Sequence, residues 1–260
     1  LEENGFVKSI VEKPEIPISN LVNTGLYFLP KTILNRKIRK SERGEYEFTD
    51  YIKFFIKENN LYAVRASNWF PTSYPWDIFN ILEFLFNQKK KTSKIKKEKN
   101  VFIKDKIIVG KGTIIKSGTY IEGPVFIGKD CVIGPNSYIR PFTIIGNNSK
   151  IGQAVEIKNT IIGNNTNVPH LSYVGDSIIG DNCNLGAGTI VANLRHDGKT
   201  IHTLVNGRMV DTNRHKFGTI VGDNSKTGIK TIIYPGRKIY PNNTTLPGEK
   251  VTKDIISSKS

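Results

Sequence analysis

Residues 109–157 read VGKGTIIKSGTYIEGPVFIGKDCVIGPNSYIRPFTIIGNNSKIGQAVEI. An aliphatic side chain returns every six positions, at Val109, Ile115, Ile121, Ile127, Ile133, Ile139, Ile145, Ile151 and Ile157. After a five-residue step the series runs on through Ile162, Val168 and Val174, and after another through Ile179, Leu185 and Val191. An interruption follows, and Val221, Thr227, Ile233 and Ile239 resume it. Glycine commonly sits next, as at Gly110, Gly128, Gly134, Gly146 and Gly152, and a small residue four places on, as at Thr113, Cys131, Ser137, Ser149 and Cys183. A period of six would carry the aliphatics around a 3.6-residue helix instead of holding them on one face. It fits a short strand and a turn, with the aliphatic and the small residue both pointing inward because strand side chains alternate. Glycine and asparagine permit the tight corners. Three such edges close one triangular coil, and coils stack at ~4.8 Å like neighbouring strands. The predicted fold is mainly β, a left-handed parallel β-helix of hexapeptide repeats. Cys131 and Cys183 fall in the small-residue slot, so they read as buried packing thiols, and two cysteines make no disulfide framework.

Upstream of the repeat the pattern changes. Residues 6–11 and 22–29 read as strands, and 49–59 and 76–91 as helices. The second helix carries Ile78, Ile81, Leu82, Leu85 and Phe86 on one stripe. The expected organisation is an α/β piece over 1–87, a basic linker over 88–106 and the β-helix over 107–256. The chain of 260 residues opens on Leu1 and its one methionine is Met209, which reads as a fragment or processed product. The net charge is +15, from 38 Lys+Arg against 23 Asp+Glu, which raises nucleic acid, membrane surface or anionic small molecules as partners. Much of it is Lys89, Lys90, Lys91, Lys94, Lys96, Lys97, Lys99, Lys104 and Lys106, with no aromatic between them until Phe102. That run lacks the stacking platform of a single-strand binder and reads as a solvated linker. No apolar run of ~18 residues exists and the first residues lack the form of a signal peptide. The reading is therefore a cytoplasmic chain with neither a nucleic-acid nor a membrane partner.

Several motifs carry a resemblance. Val11-Glu12-Lys13-Pro14, Asn23-Thr24-Gly25-Leu26-Tyr27, Gly44-Glu45-Tyr46-Glu47-Phe48-Thr49-Asp50 and Tyr74-Pro75-Trp76-Asp77 resemble the later half of a sugar-1-phosphate nucleotidylyltransferase domain, a Rossmann-like α/β fold. Ile139-Arg140-Pro141, Val155-Glu156-Ile157-Lys158-Asn159, His170-Leu171-Ser172-Tyr173-Val174-Gly175-Asp176 and Asn184-Leu185-Gly186-Ala187-Gly188-Thr189 resemble the acetyltransferase domain of the bifunctional nucleotidylyltransferase/glucosamine-1-phosphate acetyltransferases. Ala192-Asn193-Leu194-Arg195 is similar to the archaeal branch. The glycine-rich phosphate loop with which the family's domain begins is absent from the sequence, which is expected to start beyond it, leaving Glu12, Lys13, Asn23 and Gly25 as the nucleotidylyltransferase remnant. Where the family has an acidic metal ligand, Trp69-Phe70-Pro71-Thr72-Ser73 has Pro71. Proline cannot ligate Mg²⁺, so no pyrophosphorylase activity is expected, and Mg²⁺ belongs only to that incomplete half.

The resemblance implies transfer of an acetyl group from acetyl-CoA to an amino sugar 1-phosphate: glucosamine-1-phosphate, or galactosamine-1-phosphate in a broader pocket. His170 is then the base, since a neutral imidazole accepts the ammonium proton near physiological pH. Arg140 grips phosphate as a bidentate fork and Lys158 as a point charge. Glu156, Tyr173, Asn184 and Asn193 hold sugar or acetyl groups, and acetyl-CoA lies against Ala187, Gly188, Thr227 and Ile229. Eighteen residues separate Arg140 and Lys158, putting them on equivalent corners of adjacent coils, with His170 expected near the same edge. The family implies a homotrimer with sites between prisms. The basic interruption 195–217 reads as a lid or neighbour contact for anions, with Lys199 the first choice in it. Its histidines, His196, His202 and His215, raise a zinc-enzyme reading, but all three share one loop and their spacing does not match three converging ligands. The alternative function is a non-catalytic oligomerisation scaffold, which the Pro71 departure motivates.

Overall fold

The computed structural model describes residues 5–58, 61–88 and 96–256, and the chain falls into two compact units, 1–71 and 72–260.

The second unit holds a three-faced parallel β-helix. Among the described residues face 1, which starts with Phe102–Lys104, has eight strands, face 2, which starts with Ile107–Val109, seven, and face 3, which starts with Ile114–Ile115, six. Every strand pairs in parallel with the strand one coil away, so equivalent positions stack in columns. On face 1 the outward column runs Phe102, Tyr120, Tyr138, Glu156, Tyr173, Ile190, Ile232, Lys250. The inward aliphatics of all three faces form one core, with Ile115, Ile121, Ile127, Ile133, Ile139, Ile145, Ile151 and Ile157 fully buried. The six-residue period was therefore the coil's edge length.

The small-residue slot has a hydrogen-bonding job. Thr113 Oγ1, Ser149 Oγ and Thr166 Oγ1 donate to the carbonyls of Gly128, Gly163 and Gly180 at 2.7–2.8 Å. Both cysteines occupy the same column, and their thiols donate to Gly146 O at 3.0 Å and Gly222 O at 3.2 Å. Burial pushes both thiols above their ordinary pKa. At the corner between faces 2 and 3, Asp130, Asn148, Asn165, Asn182 and Asn224 all adopt positive φ of 54–59°, a conformation that asparagine and aspartate tolerate. Beside them runs a directional ladder. The backbone N–H of Lys129 donates to the Asn147 side chain, that of Asn147 to Asn164, that of Asn164 to Asp181, and that of Asp181 to Asp223, all at 2.6–2.9 Å.

The chain leaves the prism after Val191 and rejoins it at Thr219, and the coils on either side still pair in register, Ile190 with Ile232. The excursion contains an antiparallel hairpin, His202–Val205 with Arg208–Asp211, turned by Asn206 and Gly207 at φ 47° and 77°. Thr203 Oγ1 donates to Gly236 O at 2.7 Å and Arg237 donates to His202 O at 2.9 Å, which fixes the hairpin to the prism. Helix α2, Ile78–Gln88, belongs to this unit too. It follows a 3₁₀ turn at Pro75–Asp77, where the Tyr74 N–H donates to Asp77 Oδ2 at 2.8 Å. Trp76, Phe79 and Leu82 pack with Ile201 and Phe217 and with Ile144, Ile161, Ile178 and Ile220 from the outward side of face 2. The buried stripe is thus Phe79, Leu82 and Phe86, while Ile78 and Leu85 are exposed. IFNILEFLF is apolar nearly all round, so its spacing alone does not choose a face. The segment read as linker contributes a strand, Phe102–Lys104, and a bridge from Lys97 to Ile115. Its residues 89–95 lie outside the described residues.

The first unit holds a 3₁₀ turn, Lys31–Asn35, and helix α1, Phe48–Lys57. Of the strands expected over 6–11 and 22–29 only a bridge from Phe6 to Tyr62 appears among the described residues. A strand needs a hydrogen-bonded neighbour, and alternation cannot supply one. Leu26 and Phe28 are fully or nearly fully exposed. No helix among the described residues is long and apolar enough to cross a membrane.

Replacing Cys131 by Ser keeps a donor for Gly146 O and is expected to cost about 1 kcal/mol or less, whereas Cys131→Val leaves that carbonyl unpaired and costs about 1–3 kcal/mol in urea unfolding. Equal losses for the two variants would show that the thiol acts by volume alone.

Candidate functional site

Arg140 and Lys158 directly follow Ile139 and Ile157, which pair in register. They stand one coil apart at the corner where face 1 turns into face 2. Their side chains act in different ways. Arg140 folds back across face 1: its Nη1 donates to Glu156 Oε1 at 2.9 Å and its guanidinium lies 5.5 Å from the Tyr138 ring centroid. The bond to Glu156 holds the Arg140 pKa above its ordinary value. Lys158 donates to Asp176 Oδ2 at 3.2 Å. Asp176, 3% exposed, also accepts from the Asn159 amide at 2.8 Å and from the Asn193 amide. Asn193 further donates to the Tyr173 hydroxyl at 3.0 Å. Burial pushes the Tyr173 phenol above its ordinary pKa, and the Asn193 bond partly offsets it. Arg140, Glu156, Lys158, Tyr173 and Asn193 therefore form one polar region over face 1 and its corner, with Asp176 as the buried anion at its centre.

His170 ends the strand Asn167–His170 on face 3, at the corner where that face turns into face 1. Its carbonyl accepts from Ser172 Oγ at 2.7 Å and from the Gly188 N–H at 3.1 Å. The side chain is exposed, and its ring makes no hydrogen bond among the described residues. His170 thus stands at the opposite edge of face 1 from Arg140 and Lys158. The geometric reason is that twelve residues are two edges of a triangular coil, not a full turn.

The other candidates spread further. Asn184 is exposed on face 3 beside Asn167 and Lys226 and does not join the network. Ala187 O accepts from the Lys230 N–H at 2.8 Å. Thr227 turns inward: its hydroxyl accepts from the Gly186 N–H at 2.9 Å and bonds Thr189 Oγ1 at 2.8 Å, so that hydroxyl is engaged inside the prism. Ile229 is exposed. Lys199 is exposed ahead of the hairpin, where its N–H donates to Asp197 Oδ1 at 3.2 Å. In the first unit Glu12 accepts from Thr49 Oγ1 at 3.2 Å, Asn23 accepts from the Gly25 N–H at 3.1 Å, and Lys13 and Gly25 have positive φ. Among the described residues no three His, Cys, Asp or Glu side chains gather to hold a metal ion.

Sequence reading did not single out Arg214, Asn80 or Phe79. With Arg140, Lys158 and Asn159 they line a cavity of about 430 Å³ at the corner of faces 1 and 2. Asn206-Gly207 between alternating apolar runs was the available signal, since that pair marks a hairpin that could carry Arg214 back to the prism.

Asp176→Asn sets an amide where three donors converge and is expected to lower stability by about 2–4 kcal/mol in urea unfolding. An unchanged midpoint would mean that Lys158 and Asn193 are held by other groups.

A stacked β-helix with a cationic corner, preceded by an α/β segment, defines the class. Residues 1–88 match the nucleotidyl transferase family and residues 121–258 the GMPPB C-terminal domain family. The chain belongs to the GMPPB C-terminal domain family, with a nucleotidyl transferase segment ahead of that domain. The bifunctional sugar-1-phosphate nucleotidylyltransferase/acetyltransferase of Sulfurisphaera tokodaii is 42% identical over 259 residues, covering 98% of this chain and 65% of that protein. The bifunctional protein GlmU of Methanocaldococcus jannaschii is 45% identical over 260 residues, covering 99% of this chain and 63% of that protein. The chain spans just under two thirds of the length of these relatives. The bifunctional family that the motifs resemble is the one these relatives name.

Proposed function

We propose that this chain transfers an acetyl group from acetyl-CoA to the amine of an amino sugar 1-phosphate, glucosamine-1-phosphate first and galactosamine-1-phosphate as the alternative acceptor. The observation that carries the reading is the corner itself, where Arg140 and Lys158 stand one coil apart beside the Tyr173–Asn193–Asp176 chain. Two fixed cations suit a phosphate, and tyrosine and asparagine donors suit sugar hydroxyls. The names of the two relatives point the same way.

In this reading the phosphate sits at the corner and the sugar lies on face 1 over Glu156 and Tyr173. The amine points to His170, whose unbonded ring takes its proton. The amine nitrogen attacks the thioester carbonyl, the C–N bond forms, and the C–S bond breaks with its electrons on sulfur. The imidazolium returns the proton to the CoA thiolate. Acetyl-CoA lies along Ala187, Gly188 and Ile229. Because His170 and the cationic corner occupy opposite edges of face 1, a second prism packed alongside would complete the walls, and a homotrimer is the proposed assembly. Pro71 supplies no carboxylate for Mg²⁺, so nucleotidyl transfer is not part of the proposal.

The test is a thiol-release assay with a panel of amino sugar phosphates. Wild type is expected to turn over glucosamine-1-phosphate, and His170→Ala to lose about 10²–10⁴ in kcat with KM little changed. Turnover with no acceptor, or an unimpaired His170→Ala, would sink the reading.

A further inference from the structure

The cavity at the corner of faces 1 and 2 has a wall that the β-helix does not provide. Helix α2 contributes Phe79, Asn80 and Glu83, and the chain returning from the hairpin contributes Arg214. Arg214 is held in place by two contacts: Nη1 donates to Asn80 Oδ1 at 3.2 Å, and the guanidinium lies 4.9 Å from the Phe79 ring centroid. Neither contact carries negative charge.

The three cations lining this cavity differ in one respect. Arg140 is paired with Glu156 and Lys158 with Asp176. Among the described residues no carboxylate oxygen lies within 4 Å of Arg214. Its Nε is buried without a hydrogen-bond partner, as is that of Arg140 on the facing wall. Burial lowers the Arg214 pKa from its ordinary value, and the more distant charges of Asp176 and Asp77 only partly offset it. A guanidinium has five N–H donors, and Arg214 spends one direction of them on Asn80. An arginine with spare donors and no carboxylate in direct contact, facing an arginine and a lysine across a cavity, has the chemistry of a phosphate ligand.

We infer that Arg214 is a third phosphate-binding cation, delivered to the corner by the hairpin and oriented by Asn80 and Phe79, and that it makes the site selective for a phosphomonoester over the unphosphorylated amino sugar. The inference rests on the proposed acceptor for its role in catalysis, but the phosphate site stands on the cavity alone. Glu83 also lines the cavity, with no cation within 4 Å among the described residues, and opposes an anion there. Glu122, the other lining carboxylate, is tied to Lys104 at 2.9 Å and to the Tyr138 hydroxyl at 3.0 Å.

Calorimetric titration of the whole chain with inorganic phosphate tests it. Arg214→Gln is expected to weaken binding roughly tenfold or more, and Glu83→Gln to tighten it. Arg208→Gln, an equal loss of charge at the exposed hairpin tip, is expected to change nothing. If Arg214→Gln unfolds, Arg214→Lys is read in its place, and an intermediate weakening is expected because charge is kept and the planar fork is lost. In the thiol-release assay Arg214→Gln should raise KM for the amino sugar phosphate about tenfold and leave KM for the unphosphorylated amino sugar unchanged. Phosphate binding lost in Arg140→Gln but intact in Arg214→Gln would confine the anion to face 1 and overturn the inference. Arg214-dependent phosphate binding in a chain that acetylates no acceptor would uphold this site and defeat the catalytic reading instead.

Discussion

Parallel, in-register pairing between successive coils is the constraint that the second unit obeys throughout. Each coil hands its backbone donors and acceptors to the next, so residues at one coil position stack in a column, and the inward columns must hold the same chemical type throughout. That requirement gives the isoleucine stack its regularity, places hydroxyls and thiols in one interior column, and lines asparagine and aspartate along one corner. A polar residue in the isoleucine column would be buried between two apolar neighbours. At the outward corner there is no such penalty, because the side chain leaves the stack. Arg140 and Lys158 show what this permits: long charged groups set at a coil's height by the ladder yet free of the core.

The α2 and hairpin layer follows from the same rule. Face 2 turns Ile144, Ile161, Ile178 and Ile220 outward, an apolar column that a purely solvated prism would leave wet. Phe79, Leu82, Ile201 and Phe217 cover it. The covering layer is what brings Asn80 and Arg214 to the corner, so a packing demand on one face determines the electrostatics at its edge.

Much of this was legible in the residues and some was not. The β-helix was, because a six-residue period repeated nine times has no helical reading. The pairing of Arg140 with Lys158 at one corner was legible from their eighteen-residue separation. The displacement of His170 to the opposite edge was equally implicit, since twelve residues are not a whole coil. The stripe of α2 was illegible in part, as Phe79 competes with Ile78 and Leu85 on a helix apolar on almost every side. Arg214 was hidden for a different reason. It is one of several basic residues in 195–217, and only the hairpin geometry separates it from exposed Lys199. The strands read over 6–11 and 22–29 failed because alternation describes a face, whereas a strand also requires a neighbour.

The excursion between Val191 and Thr219 leaves Ile190 and Ile232 paired as though nothing intervened. Scaffold and corner wall are therefore separable in sequence as well as in geometry. A change of length or charge in the hairpin alters the wall of the corner cavity and leaves the coil-to-coil register in place, while a change inside a coil propagates to both neighbours.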